Sequence, residues 1–519
     1  MESIYANYPE YKSTARLDDL RATEYGYLDK QDHLYLDFTG AGLAAQSQLR
    51  EHESRLERTL LGNPHSDNPT SRSATHLVED ARARILAHLG ASPDEYTAVF
   101  TANATGAARL VAEAYPWTRR SRLVLTADNH NSVNGLREFA RRGHARTVYV
   151  PVRAPELRVD PADLVTALKP PRRITGSRLF GGGGSGSKGH KSSSNNTTTN
   201  TNTKRKNGLF AYPAQSNFSG VRHPLSWVSL AQQQGYDVLL DAAAYLPTSR
   251  LDLSASSGAR PEFVIVSWYK LFGYPTGVGC LVVRRDALAR LAGSRPWFSG
   301  GTIAAASVVV GGAPWHVMAA DEAAFEDGTV NFLSIPDVRF GLDWLDGIVG
   351  GMDVIGTRVR CLTGWCLDRL RGLRHGDGRS PLARIYGPTD MTARGGTICF
   401  NFLDAGGRVV DERLVAAESS ARNISLRTGC FCNPGAGEAA FGLSKRALEP
   451  LNRARVQALN DGGRSVDDYI RLLAPVGAVR ISFGFVTTTG DVDRFIAFAE
   501  ETYRDRVTPV NGLPTHDGC

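Results

Sequence analysis

The feature that most restricts the fold is a succession of short apolar, β-rich runs, each ending in polar residues and most leading into a helix-like stretch. In order they are YTAVFTANATGAARLVAEAY, SRLVLTADNHNSVNGLREFARRG, ARTVYVPV, GLFAYPAQSNFSG, YDVLLDAAAYL, FVIVSWYKLFG and VGCLVVRRDALARLAG. A strand that is apolar at every position, rather than at alternate ones, must be buried on both faces. That requires helices on both sides of a largely parallel sheet. The chain is therefore expected to be α/β. In such sheets ligands gather beyond the carboxyl ends of the strands. Asn103 and Thr105, His130, Asn217, Asp241 and Lys270 should then converge on one crevice, although they lie far apart in sequence. The alternation fades after about Asp343. MDVIGTRVRCLTGWCLDRLRGL, GGTICFNFLD and the pair VGAVRISFGF and DVDRFIAFAEETY predict a second, smaller α+β domain. The expected organisation is an N-terminal segment over 1–30, a large domain over 31–340, a small domain over 341–505 and a tail over 506–519.

Composition narrows the function classes. The formal net charge is +7, but part of the excess sits in GSRLFGGGGSGSKGHKSSSNNTTTNTNTKRKNG, 176–208. That composition cannot bury apolar surface and is expected to be a disordered insertion. No aromatic-rich basic stripe accompanies it, so nucleic acid is not an expected partner. No run of about 18 or more apolar residues occurs, and MESIYANYPEYKST has neither a basic nor an apolar leader region, so the expectation is a cytoplasmic protein with no membrane contact. The seven cysteines are odd in number and scattered, which predicts reduced thiols rather than a disulfide framework.

No G-x-G-x-x-G or G-x-x-x-x-G-K-[ST] is present, and no cysteine or histidine clusters have zinc-finger spacing, so no metal is expected. What stands out is Asp241 at the end of YDVLLD and Lys270 at the end of FVIVSWYK. A lysine directly after a buried strand must pair or lose its charge, and a Schiff base resolves that chemically. Pyridoxal phosphate (PLP) chemistry needs such a lysine, an acid for the pyridine nitrogen and an anion cradle. Asp241 and Lys270 fit the first two needs. For the third, TANATGAA places Ala104 and Thr105 at a strand-to-helix turn whose N–H groups could face a phosphate, with Ser267 as a further donor. The ordinary structural uses stand beside these readings: a snorkelling lysine, an N-cap aspartate, a turn histidine at His130 and locally capping hydroxyls.

In these residues the chain resembles the class V aminotransferase-like cysteine desulfurases of PLP fold type I, and among them the desulfurase domain of the molybdenum cofactor sulfurases. The resemblance rests on YLDFTGAG, LLGNPHS, FTANATGA, DNHNSV, LLDAAAYLPTS, SWYKLFGYPTGVG, SGGT at Ser299 to Thr302, FEDGTVNFLSI, LRTGCFCNPGAGE and VRISFGF, in family order over roughly residues 30 to 500. It implies a large domain with a mostly parallel seven-stranded sheet and a smaller domain carrying the cysteine loop. It also implies that Lys270 holds PLP, Asp241 pairs with the ring nitrogen, His130 lies over the ring and Asn217 contacts the ring hydroxyl. Ala104, Thr105, Ser267 and, from the neighbouring subunit of a homodimer, Thr302 would hold the phosphate. Arg427 would clamp the carboxylate of L-cysteine, and Cys432 would take its sulfur, leaving a persulfide and releasing alanine. The sulfur would pass to a molybdenum cofactor-binding domain or protein.

Cys430 is open among spectator, resolving thiol and metal ligand with Cys432, while Cys280, Cys361, Cys366 and Cys399 lie in apolar patterns and read as core. Gly437 stands where the sulfurases usually carry a third cysteine of the motif. The chain ends at VNGLPTHDGC without their cofactor-binding domain, so a truncated sulfurase and a stand-alone relative are both expected possibilities. A C–S lyase or transaminase would use Lys270 and Asp241 but not Cys432, and a non-catalytic scaffold would need none of them.

Overall fold

The computed structural model describes residues 4–170, 206–443 and 477–508, with four isolated positions at 446, 448, 449 and 453. Most of the segment 176–208 lies outside the described residues, and so does the tail beyond 508. Its last residues do not behave as a solvated insertion. Lys206 pairs with buried Asp237 at 2.8 Å and with Glu262 at 3.5 Å, and Gly208 opens a strand.

Seven apolar runs form one sheet: β1 (Tyr96–Thr101), β2 (Arg122–Thr126), β3 (Arg146–Val150), β4 (Gly208–Pro213), β5 (Tyr236–Asp241), β6 (Phe263–Ser267) and β7 (Gly279–Arg284). Their order is β1-β7-β6-β5-β4-β2-β3, with only β7 antiparallel to its neighbours. Successive side chains alternate between two cores. Phe210, Val238, Leu240, Val264 and Val266 enter one, while Leu209, Leu239, Phe263 and Ile265 enter the other. Both faces of the central strands are thus buried, which is why their runs are largely apolar, Thr97 and Asp237 being the polar side chains within β1 and β5.

Helix α1 (Pro69–His88) covers one side and packs on α3 (Ile335–Trp344). Helix α2 (Ala104–Ala114) leaves the end of β1. A hairpin of β8 (Ile303–Ser307) and β9 (Trp315–Met318) projects from the large domain and leaves Val310 97% and Trp315 52% exposed.

The small domain contains helix α4 (Met352–Gly372) and an antiparallel sheet of β10 (Ala383–Tyr386), β11 (Thr397–Phe402), β12 (Arg427–Gly429) and β13 (Ala478–Ser482), in the order β10-β11-β13-β12. Residues ahead of the sheet pack on this domain. Leu34–Tyr35 pairs in parallel with Ile424–Ser425, and Asp37 bridges to Ser482. Fully buried Arg358 of α4 donates to Thr487 O, pairs with Asp18 and lies 4.5 Å from the Tyr11 ring centre. Among the described residues no helix is long and apolar enough to cross a membrane.

Candidate active site

The register brings the expected residues to one edge. Asp241 ends β5 opposite Ile265, and Gly279, which opens antiparallel β7, lies between Thr101 at the end of β1 and Ser267 at the end of β6. A Cβ on Gly279 would sit 2.6 Å from the carbonyl carbon of Asn103, so only glycine lets this strand end lie under the β1–α2 turn. That turn is capped by Asn103, whose side chain accepts from Gly106 N at 2.9 Å. The free N–H groups of α2 and the exposed hydroxyl of Thr105 face outward at a positive helix end. A cleft of about 430 Å³ adjoins this turn, lined by Thr101, Ala102, Gly106, Gly277, Trp297 and Thr329.

Lys270 lies in the turn after β6. Gly273, at φ +76°, closes that turn where any Cβ would strike Leu43 at 2.2 Å, so the YLDFTGAG segment is clamped against the lysine turn. The Lys270 ammonium has no hydrogen-bond or ion-pair partner among the described residues. Burial pushes its pKa down, Asp241 offsets part of this, and the charge of Arg480 pushes it down further. Asp241 is buried and accepts a hydrogen bond from Ala243 N at 3.0 Å. His130 is half-buried and caps a short helix. Its Nδ1 accepts from Ser132 N at 3.1 Å, so the neutral ring carries its proton on Nε2. Burial lowers the His130 pKa, with Asp241 opposing and Lys270 and Arg480 adding to the fall, so the field of one site acts on all of these groups. Ser132 Oγ lies 2.9 Å from His130 Nδ1 and 2.7 Å from Thr105 Oγ1, joining histidine to helix turn.

The cysteine loop is fastened onto this edge. Asn131 N donates to Cys432 O at 2.8 Å, Asn217 Nδ2 donates to Phe431 O at 2.8 Å, and buried Asn433 donates from Nδ2 to Asp128 O and to Asn217 Oδ1. Phe431 and Cys432 both adopt left-handed φ, 54° and 53°. Two consecutive non-glycine residues there are strained, and such strain persists only where surrounding bonds impose it. Among the described residues five cysteines are free, and Cys432 alone of them is not buried. Burial raises the thiol pKa of Cys361 to about 11 and of Cys366 to about 12, and raises those of Cys280 and Cys399 as well. This agrees with a core role for those four. Cys430 is disulfide-bonded, which corrects the expectation of reduced thiols throughout. No group of three His, Cys, Asp or Glu side chains able to hold a metal ion occurs among the described residues.

Two further expected residues have local partners. Thr302 is buried, and its hydroxyl is committed to its own turn, donating to Ser299 O and accepting from Ser299 N. Arg427 is 53% exposed and reaches Asp37 at 3.3 Å. Beside it across the β12–β13 pair stands Arg480, buried to 3%, bound to Asp37 at 2.6 Å and donating to Asn217 O, with its Nε unpartnered. Sequence reasoning passed over Arg480. The available signal was a guanidinium in the middle of the apolar strand VRISF. Ser132 and Asn433 were also missed, since nothing local distinguishes them from ordinary capping residues.

The sequence profile of the "Aminotransferase class-V" family matches residues 34–174 and 190–495. The chain is 36% identical over 507 residues to molybdenum cofactor sulfurase of Homo sapiens, covering 94% of this chain and 51% of that protein. It is 34% identical to that of Arabidopsis thaliana, covering 95% and 59%. The chain thus spans between half and three-fifths of these relatives' lengths. Among solved structures, the cysteine desulfurase of Thermococcus onnurineus NA1 superposes with a TM-score of 0.68 at 20% identity, covering 93% of this chain and 97% of that one. The cysteine desulfurase CsdA of Escherichia coli superposes with a TM-score of 0.64 at 18% identity, covering 93% and 98%.

Proposed function

The chain belongs to the class-V aminotransferase family, and from that premise we propose that it is a PLP-dependent L-cysteine desulfurase that carries sulfur on Cys432 for molybdenum cofactor sulfuration. The observation that carries this reading is the joining of the strained Cys432 loop to the Lys270 edge through Asn131 and Asn217. A lyase or transaminase has no use for a cysteine held there at such conformational cost.

The residues fit PLP. Lys270 has a depressed pKa and no partner among the described residues, Asp241 is a buried acid at the neighbouring strand end, and Gly279 lets the strand end pack closely under the β1–α2 turn, whose exposed helix N-terminus stands beside them. Lys270 would hold the cofactor, Asp241 its ring nitrogen, and Ala104, Thr105 and Ser267 its phosphate, with His130 and Asn217 beside the ring. When bound, PLP supplies an electron sink that eases bond breaking next to the substrate's α-carbon.

The chain's own groups then do the following. Arg480 binds the substrate carboxylate through its unpartnered Nε, and Arg427 guards the rim, in place of Arg427 acting alone. Lys270, biased toward its neutral amine, accepts and returns protons. His130, biased toward neutrality, presents Nε2–H as a donor. The Cys432 thiolate forms an S–S bond to the substrate sulfur as the C–S bond breaks. The electron pair stays with carbon, which takes a proton to give alanine, and Cys432 keeps the persulfide. Relatives named for molybdenum cofactor sulfuration support a molybdenum cofactor-binding domain or protein as the acceptor. The exposed apolar β8–β9 hairpin supports a homodimer, and the five free thiols among the described residues, set against the one disulfide-bonded cysteine, support the cytoplasm.

The test is alanine release from L-cysteine by the full chain supplied with PLP. The expected result is turnover that Lys270→Ala abolishes. No alanine above a boiled control would defeat the proposal and favour a scaffold.

A further inference from the structure

Behind Lys270, away from the cysteine loop, lies a second concavity between the large domain and α4. It has a volume of about 350 Å³ and is lined by four arginines, Arg222, Arg250, Arg360 and Arg394. Their charges are poorly compensated. Arg360 pairs with Glu10 at 2.6 Å, but no carboxylate within the described residues forms an ion pair with Arg222, Arg250 or Arg394. The exposed Asp353 is the single acid on the lining.

Arg394 is the telling residue. It is 2% exposed, donates only to the carbonyl oxygens of Pro388, Ser219 and Thr397, and leaves its Nε without a partner. Burial lowers its pKa to about 10, and Asp390 offsets this only in part. Burying a guanidinium without a counter-charge is costly unless an anion completes the site. Ser249, on the same lining, is also buried with an unpartnered hydroxyl. Arg222 is held ready by a hydrogen bond from its Nε to Gln215 Oε1 at 3.1 Å and by stacking 5.5 Å over Tyr245. The first turn of α4, with its unpaired N–H groups, faces the same space.

We propose that this cleft is a binding site for a small organic phosphate monoester, separate from the cofactor cradle at α2. Three uncompensated guanidinium groups match a dianion better than a monocarboxylate, since a phosphate monoester carries about −1.5 to −2 at neutral pH. A space of this size, at the lower end of the roughly 300–1,000 Å³ usual for ligand pockets, exceeds what inorganic phosphate fills. Tyr245 and Met391 offer apolar wall for the organic part. Thr248 and Gly396 also line the small cavity that reaches Lys270, as does Gln215, the partner of Arg222. An occupant would therefore adjoin the cavity that reaches the lysine.

Isothermal titration calorimetry of the full chain with phenyl phosphate, before loading with PLP and after one equivalent of PLP is fixed on the protein by borohydride reduction and the excess removed, tests this. We expect saturable binding that the fixed PLP does not displace. Arg250→Gln and Arg222→Gln should each weaken it roughly tenfold or more, the usual loss for one charged hydrogen bond, whereas Arg119→Gln, an exposed arginine outside the cleft, should not. Benzoate should bind at least about tenfold more weakly than phenyl phosphate. Absence of saturation, displacement by PLP, or indifference to both cleft substitutions would overturn the proposal. Equal affinity for benzoate would overturn the assignment to phosphate.

Discussion

Replacing Cys432 by glycine should stabilise the protein relative to replacing it by alanine, the reverse of the usual order. Alanine keeps a Cβ and must still be held at the left-handed φ of 53° observed for Cys432, which costs about 1–2 kcal/mol for an L-residue. Glycine carries no such penalty but gives back roughly 0.5–1 kcal/mol through the greater freedom of its unfolded chain. The difference favours glycine by about 0.5–1 kcal/mol, whereas at an ordinary position alanine would win by a similar amount. The bonds from Asn131 N to Cys432 O and from Asn217 Nδ2 to Phe431 O remain in both variants, because neither involves the substituted side chain. Thermal melting of the two variants side by side should place the glycine variant higher by about 1–3 °C. An alanine variant as stable as the glycine variant, or more so, would refute the strained loop, and with it the argument that the fold holds Cys432 out for chemistry.

Two further outcomes follow from the charges around the site. Arg480→Lys should raise KM for L-cysteine about tenfold or more, from loss of a charged hydrogen bond of about 1.5–3 kcal/mol, and should exceed the effect of Arg427→Lys, because Arg480 is buried beside the site and Arg427 is half exposed. Steady-state kinetics of both variants decide it, and a larger effect at Arg427 would reverse the assignment. His130 has a folded pKa below the ordinary 6.5, so on acidification the unfolded chain takes up its proton first. Stability should therefore fall as pH drops through that value. Denaturation midpoints between about pH 7 and pH 5 should fall less steeply in His130→Asn than in the parent, and parallel curves would contradict the half-buried neutral ring.

The sheet was legible because doubly buried strands leave continuous apolar runs, and Asp241 and Lys270 were legible because a charge at the end of such a run has no cheap structural excuse. Local sequence carries less about what long-range contacts decide. CFCNPG announces a turn, but that Phe431 and Cys432 are the left-handed pair depends on Asn131 and Asn217, each more than 200 residues away. Arg480 was hidden for the same reason: its place depends on Asp37, at the other end of the chain, which holds both it and Arg427. Leu34–Tyr35 gave no sign that it would add a strand beside Ile424.

The central claim is that Cys432 receives the substrate's sulfur. Its most direct test is mass spectrometry of the peptide containing Cys430 and Cys432 after the PLP-supplied protein turns over L-cysteine, with free thiols alkylated and disulfides left intact. A persulfide on Cys432, absent from Cys432→Ala and from Lys270→Ala, is the expected result. Persulfide on Cys430 alone would contradict the assignment, and full alanine release by Cys432→Ala with no persulfide would place the chain among the lyases.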